Sequence, residues 1–266
     1  MAGRLEGKIA VVVGAGQTPG ETIGNGRAMA VLFAREGATV LCVDRVLERA
    51  EETAAQVTAE GGAASSMAAD VVKAADCGRI VEEAKARYGR LDVLINNVGI
   101  GGGDGPAHRL EEAAFDRILS VNLKGMWLTI KAALPVMREQ EGGAIVNISS
   151  LAARAGGIQL AYEVSKAGVN RLTTSVAQSN ARYGVRCNAI EMGYMDTPMA
   201  VGGIASATGR STAEVRAERD ARVPLKGKMG DGWDTAHAAL FLASDDARFI
   251  SGAILPVDGA MGLRIG

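Results

Sequence analysis

The chain has no excess charge of either sign, no long apolar run, and few residues that bind metals. Its 266 residues carry 29 Lys and Arg against 30 Asp and Glu, a net charge of −1. That balance excludes a basic field for nucleic acid and a polybasic surface for a membrane, and leaves a small molecule as the expected partner. No stretch approaches the ~20 apolar residues that span a bilayer. Arg4 and Lys8 before the run 9–13 echo a signal peptide only faintly, because the run is short and no cleavage-like end follows it. It reads as a buried first strand, and the protein is expected to be soluble and cytoplasmic. Cys42, Cys77 and Cys187 are odd in number and widely spaced. They offer no disulfide framework or zinc site and suit buried free thiols in a reducing compartment. The two histidines, His108 and His237, have no metal-ligand company and read as ordinary surface or loop residues. No metal is expected.

What the sequence does have is an alternation. The runs 9–13, 39–43, 91–95, 144–148, 186–190 and 254–257 are apolar on nearly every residue, as strands covered on both faces are. Between them, 26–35, 47–59, 74–88, 113–136 and 161–183 carry apolar residues at helical spacing with charged opposite faces. Such alternation means βαβ crossovers and a parallel sheet. No repeat, low-complexity tract or linker divides the chain. The expected fold is therefore α/β, a single domain over 1–266 with a doubly wound, Rossmann-like parallel sheet and helices on both faces. Residues 197–222, with Gly202, Gly203, Gly209 and several Ser and Thr, break the rhythm and read as a mobile loop beside the substrate.

In an open parallel sheet, ligands bind beyond the carboxyl ends of the strands, where the strand order reverses. The first strand runs into "GAGQTPGETIGNGRA", residues 14–28, with five glycines. A bare loop followed by a helix N-terminus brings backbone N–H groups and a positive dipole end against a pyrophosphate. Gly14 would make the turn, while Gly24, Asn25 and Gly26 would open the helix and allow close approach. Gly14 and Gly24 are ten apart, against four in the commoner Gly-x-x-x-Gly-x-Gly form, so the loop is expanded by six residues. The second strand ends in Asp44, twenty residues after Gly24, where a carboxylate accepts from a ribose 2′-hydroxyl and repels a 2′-phosphate. NAD is the expected cofactor. Arg45 follows directly and keeps NADP open, since a guanidinium there can reach a phosphate.

Tyr162 and Lys166 are four apart on a helical segment, so both side chains leave one face. A free tyrosine titrates near pH 10, and an ammonium beside it is expected to favour the phenolate and lower that value. Such a pair can exchange a proton with an alcohol. Ser149 and Ser150 end the preceding strand, where a hydroxyl can hold the substrate oxygen near the tyrosine.

These residues, with Asn96-Asn97-Val98-Gly99, Asn122 in "SVNLKG", "NISS" at 147–150, "YEVSK" at 162–166, and Gly193 and Thr197 in "MGYMDT", resemble the short-chain dehydrogenase/reductase family in its compact form. The resemblance covers nearly the whole chain. It implies hydride transfer between a nicotinamide cofactor and a secondary alcohol or ketone, with Tyr162 as acid–base. It selects Ser150 over Ser149 as the catalytic serine and has Asn122 help hold Lys166 through an ordered water. It gives Lys166 a second bond, to the nicotinamide ribose. It puts Asp70 and Val71 beside the adenine, Asn97 and Gly99 along the ribose, and Gly193, Met195 and Thr197 at the carboxamide. It also implies a homotetramer, with the two long helices supplying flat interfaces.

The sequence departs from the family at Met192, where a proline is usual, at Val98, where alanine is commoner, and at Glu191, a carboxylate in an apolar strand end that needs a partner. Glu191 is expected to reach solvent at the cleft, with contact to the substrate as the alternative. Residues 101–105, 152–159, 192–194 and those after Thr197 imply a roomy, mostly apolar pocket with no fixed charge demanding an acid, hence a bulky apolar substrate. A catalytically silent nucleotide-binding regulator is the competing reading on this fold, and the intact Tyr, Lys, Ser and Asn set argues against it.

Overall fold

Each residue of the first strand is buried, and alternate residues enter different cores, as a strand covered on both faces requires. Ala10 and Val12 join one apolar cluster, and Val11 and Val13 the other. The computed structural model describes residues 3–263; residues 1–2 and 264–266 of the expected 1–266 domain lie outside the described residues. Seven parallel strands form one sheet, β1 (Ile9–Val13), β2 (Thr39–Asp44), β3 (Ala63–Ala68), β4 (Val93–Asn96), β5 (Gly143–Ser150), β6 (Val185–Met192) and, after two short strands, β9 (Ile254–Val257). Their order is β3-β2-β1-β4-β5-β6-β9. The direction of winding reverses between β1 and β4, and the loops leaving these two strands part there.

On one face lie α1 (Asn25–Arg35), α2 (Leu47–Ala59) and α9 (Gly232–Ala243), and on the other α3 (Ala74–Tyr88), α5 (Gly125–Glu139) and α6 (Leu160–Asn180). α5 is preceded by α4 (Glu112–Leu119) and a π turn, Ser120–Lys124, so the helix expected over 113–136 is interrupted by one wide turn. Strand β3 had no counterpart in the sequence reading. Its Ala63-Ala64-Ser65-Ser66-Met67-Ala68 is neither a buried apolar run nor a strong alternation, and it occupies the sheet edge.

The segment 197–222 contains a π turn Pro198–Gly202, α7 (Gly203–Thr208) and α8 (Thr212–Asp220). The residues that read as loop signals serve here as helix caps. Thr197 Oγ1 accepts from Ala200 N, Ser211 and Glu214 form a capping box, and Gly209 ends α7 at φ +68°. Two short strands, β7 (Met195–Asp196) and β8 (Gly230–Asp231), pair across the base of this segment. No described helix is long and apolar enough to cross a membrane.

The two late glycines of the cofactor-side loop have different physical duties. A Cβ on Gly26 would stand 1.9 Å from the Gly14 carbonyl oxygen, whereas one on Gly24 would meet nothing nearer than Gln17 Oε1 at 3.5 Å. Gly26→Ala is expected to destabilise the fold by about 2–3 kcal/mol as α1 is forced off β1, and Gly24→Ala by less than about 1 kcal/mol, the ordinary cost at an N-cap. Urea denaturation of both variants checks the contrast, and equal losses would refute it.

Candidate active site

The crevice between β1 and β4 is lined by backbone. Gly14 sits at φ +87°, a left-handed conformation that favours glycine, and its carbonyl accepts from Asn97 Nδ2 at 2.8 Å. That bond ties the loop after β1 to the loop after β4. The N-terminus of α1 has no side-chain cap and no acid in its first turn, so its N–H groups remain available to an anion. Asn25 Oδ1 is buried with no hydrogen-bond partner among the described residues, while its Nδ2 donates to Met192 Sδ at 3.3 Å. The methionine that replaces the usual proline therefore contacts the cofactor-side loop.

Asp44 ends β2 and accepts from Gly16 N at 3.1 Å and Val46 N at 3.0 Å. Two backbone donors hold the carboxylate at the crevice edge, and Arg45 beside it is exposed. Asp70 and Val71 follow β3; Asp70 Oδ1 accepts from Val72 N, and buried Val71 packs where a Cβ on Gly125 would stand. Gly193 lies so close to Asp258 that a Cβ would come within 2.7 Å of its Cα, Met195 begins β7, and the Thr197 hydroxyl caps the following turn. A glycine cradle at a bare helix N-terminus, an unpartnered amide oxygen and a positioned carboxylate together fit a dinucleotide.

At the far end of the crevice, Lys166 is 2% exposed and its Nζ donates to Ile148 O at 2.8 Å. Burial pushes its pKa down to about 8. A Cβ on Gly99 would stand 3.3 Å from that Nζ, so the bare residue leaves room for the ammonium. Tyr162, half-buried, has its ring centroid 5.6 Å from Lys166 Nζ. Here the structure corrects the expectation of a lowered tyrosine. Burial is the largest influence and raises the Tyr162 pKa; the Ser150 hydroxyl and the Arg219 guanidinium oppose it, and Lys166 is not among the opposing charges.

The two candidate serines separate clearly. Ser149 is fully buried, donating to Lys166 O at 3.3 Å, whereas half-buried Ser150 faces the Tyr162 phenol. Asn122, in the π turn, brackets Ile100: its Oδ1 accepts from Ile100 N at 2.8 Å and its Nδ2 donates to Ile100 O at 2.9 Å and Ser165 Oγ at 3.1 Å.

Three residues within the segments expected to surround the pocket have roles that the sequence did not indicate. Asp104 accepts from Tyr162 N at 2.7 Å and Ala161 N at 3.1 Å, fixing the start of α6. Arg154 donates to Glu191 at 2.7 Å; Glu191 is 2% exposed, so it is a buried, paired carboxylate and not the solvent-facing one expected. Arg219 is the one side-chain charge that favours the Tyr162 phenolate, an influence absent from the sequence reading of the pocket. The only prior signal for Arg219 was the three-residue spacing of Arg216, Arg219 and Arg222, which marks one face of α8 and its end. All three cysteines are buried, and burial raises their thiols, Cys42 and Cys187 to about 12 and Cys77 to about 11. His108 and His237 are exposed, and no metal-binding cluster occurs among the described residues.

The family model described as Enoyl-(Acyl carrier protein) reductase matches residues 21–262. A solved structure described as a short-chain dehydrogenase/reductase from Burkholderia xenovorans is 43% identical, with all of each chain covered and a TM-score of 0.91. The cis-4-hydroxycyclohexanecarboxylate dehydrogenase of Sinomonas cyclohexanicum is 39% identical over 95% of this chain and 95% of its own length. The 2-(S)-hydroxypropyl-CoM dehydrogenase 3 of Xanthobacter autotrophicus is 38% identical over 98% and 99%. With its seven-stranded parallel sheet, nicotinamide-type crevice and these relatives, the chain belongs to the short-chain dehydrogenase/reductase family of oxidoreductases.

Proposed function

We propose that this protein interconverts a secondary alcohol and a ketone, with Tyr162 exchanging the proton and a bound nicotinamide cofactor, NAD in preference to NADP, exchanging the hydride. The observation that carries this reading is the half-buried Tyr162 hydroxyl faced by Ser150, with the desolvated Lys166 ammonium on the same helix face. The Ser150 hydroxyl donates to the substrate oxygen and steadies it beside the phenol. Because burial raises the Tyr162 pKa, the phenol is protonated at neutral pH and is ready to donate to a developing alkoxide. In the reverse sense, the Ser150 hydroxyl and the Arg219 charge favour the phenolate that takes the alcohol proton.

Asn122 acts through Ile100 and Ser165, holding the loop after β4 against α6. Asn97 and Gly99 flank the ribose, with Lys166 donating to it; Gly193, Met195 and Thr197 flank the carboxamide, and Asp70 and Val71 the adenine. Asp44 accepts from the adenosine ribose hydroxyls. The relative named for cis-4-hydroxycyclohexanecarboxylate supports a hydroxyl on a substituted ring as the reacting group. A homotetramer is the proposed assembly.

Tyr162→Phe is expected to lower kcat by about 10²–10⁴, the contribution of a positioned acid–base, while cofactor affinity in a fluorescence titration changes little. Assay is by nicotinamide absorbance against a panel of secondary alcohols and ketones, and retained turnover would remove Tyr162 from its role. Asp44→Ala is expected to weaken NAD binding about tenfold and to improve NADP binding; a wild type that prefers NADP would overturn this use of Asp44.

Lys166 supplies a pH test. Its pKa is about 8 folded against 10.5 unfolded, so between those values the unfolded chain holds a proton that the folded chain lacks, and stability rises with pH. Relative to Lys166→Met, the wild type is expected to gain up to about 3 kcal/mol of unfolding free energy from pH 8 to 10.5. Urea denaturation at both ends of that window checks it, and a pH-independent difference would show that the ammonium is not desolvated.

A further inference from the structure

Four arginines lie between Arg210 and Arg222, and three of them are in ion pairs. Arg210 and Arg222 share Glu218 at 2.7 and 2.5 Å, and Arg216 bridges Asp196 at 2.7 Å and Glu21 at 3.1 Å. Arg219 has no ion pair among the described residues. Its Nε donates to Met229 Sδ at 3.3 Å, a weak acceptor, and its guanidinium lies 4.0 Å from the centroid of the Tyr194 ring. Of the nearby carboxylates, Glu218 is shared by Arg210 and Arg222, Asp220 accepts from Met229 N at 2.8 Å, and Asp196 pairs with Arg216 through Oδ2 while its buried Oδ1 has no hydrogen-bond partner among the described residues.

The Tyr194 ring backs the Arg219 guanidinium, whose terminal N–H groups make no hydrogen bond among the described residues. That fork matches a carboxylate. The side chain is partly buried, and burial is the main influence lowering its pKa, a cost that a bound anion would relieve. Tyr194 directly follows Gly193 in the turn after β6, so the guanidinium over its ring lies beside that turn, and its charge is felt at the Tyr162 phenol.

We infer that Arg219 is the specificity residue for an anionic substrate: the protein acts on hydroxy and oxo acids whose carboxylate seats on the Arg219 fork while the carbinol or carbonyl carbon faces Tyr162. The inference rests on the oxidoreductase reading above and adds the substrate's charge to it. A guanidinium that only tuned Tyr162 would act equally on charged and neutral substrates. One that seats a carboxylate discriminates between them.

The test measures kcat/KM for reduction of acetoacetate, levulinate and 5-oxohexanoate, each beside its methyl ester, in wild type, Arg219→Gln and Arg219→Lys. In at least one pair, the wild type is expected to prefer the acid by about tenfold or more, mainly through KM, as a partly desolvated charge-assisted pair allows. Arg219→Gln is expected to bring the acid-to-ester ratio close to one, and Arg219→Lys to keep part of it. Should Arg219→Gln fail to bind cofactor, the wild-type ratio is read against salt; an ion pair loses preference as ionic strength rises. Esters turned over as well as acids, a ratio unmoved by Arg219→Gln, or a salt-independent ratio would overturn the inference and leave the oxidoreductase reading standing. No turnover of either member of any pair would overturn both.

Discussion

An ammonium held almost out of water is the constraint around which the catalytic end is arranged. Desolvating such a charge costs several kcal/mol, and Lys166 recovers part of that through one donated bond to Ile148 O at the end of β5. Three elements, β5 with its Ser149, α6 and the loop after β4, have to agree for this geometry to exist. β5 presents the carbonyl, α6 carries the lysine, Ser149 ties its hydroxyl to the Lys166 carbonyl, and the loop after β4 is bare at Gly99 where the ammonium passes. The same helix face then presents Tyr162. A side chain on Gly99 or a shift of α6 along β5 would disturb the lysine and the tyrosine together.

The π turn between α4 and α5 belongs to that arrangement. One wide turn sets Asn122 inward, fully buried, with its amide spent on both backbone groups of Ile100 and on Ser165. Such turns cost regular hydrogen bonding and recur at functional sites. Here it orders the loop running on to Asp104, whose carboxylate receives Tyr162 N and Ala161 N. A carboxylate at a helix N-terminus is favoured by the dipole, so the chain from Asn122 through Ile100 to Asp104 ends by fixing the first turn of α6, where Tyr162 stands.

The central strands were legible because burial on both faces leaves no polar residue to blur the pattern, as in Ile9–Val13. So were the glycine loop, Asp44, and the Tyr162–Lys166 pair, since each depends on local spacing. Strand β3 was not, because an edge strand of Ala and Ser buries too little to need apolar residues. Nor was the break at Ser120–Lys124, because one extra residue in a turn scarcely disturbs the helical period that runs from Glu112 to Glu139. The partner of Glu191 lies 37 residues away, and the one charge that acts on Tyr162, beside burial and Ser150, is that of Arg219 on another segment. Contacts of that kind follow from how helices dock on the finished sheet, and no window of sequence contains them.

The six extra residues of the glycine loop acquire a physical meaning from the same docking. Gly20 packs so tightly on Pro198 that a Cβ would come within 2.7 Å of its Cβ, and Glu21 reaches Arg216, which also holds Asp196. The expanded cofactor-side loop thus touches the segment that carries Arg219. The two ends of the bridge differ in strength. Glu21 is 72% exposed, and an exposed pair contributes below about 1 kcal/mol. Asp196 is 19% exposed, lies at 2.7 Å from Arg216, and sits in the β7–β8 ribbon. Arg216 is therefore anchored chiefly at Asp196 and only lightly joined to Glu21, so the contact between the loop and the 197–222 segment rests mainly on the packing of Gly20 against Pro198.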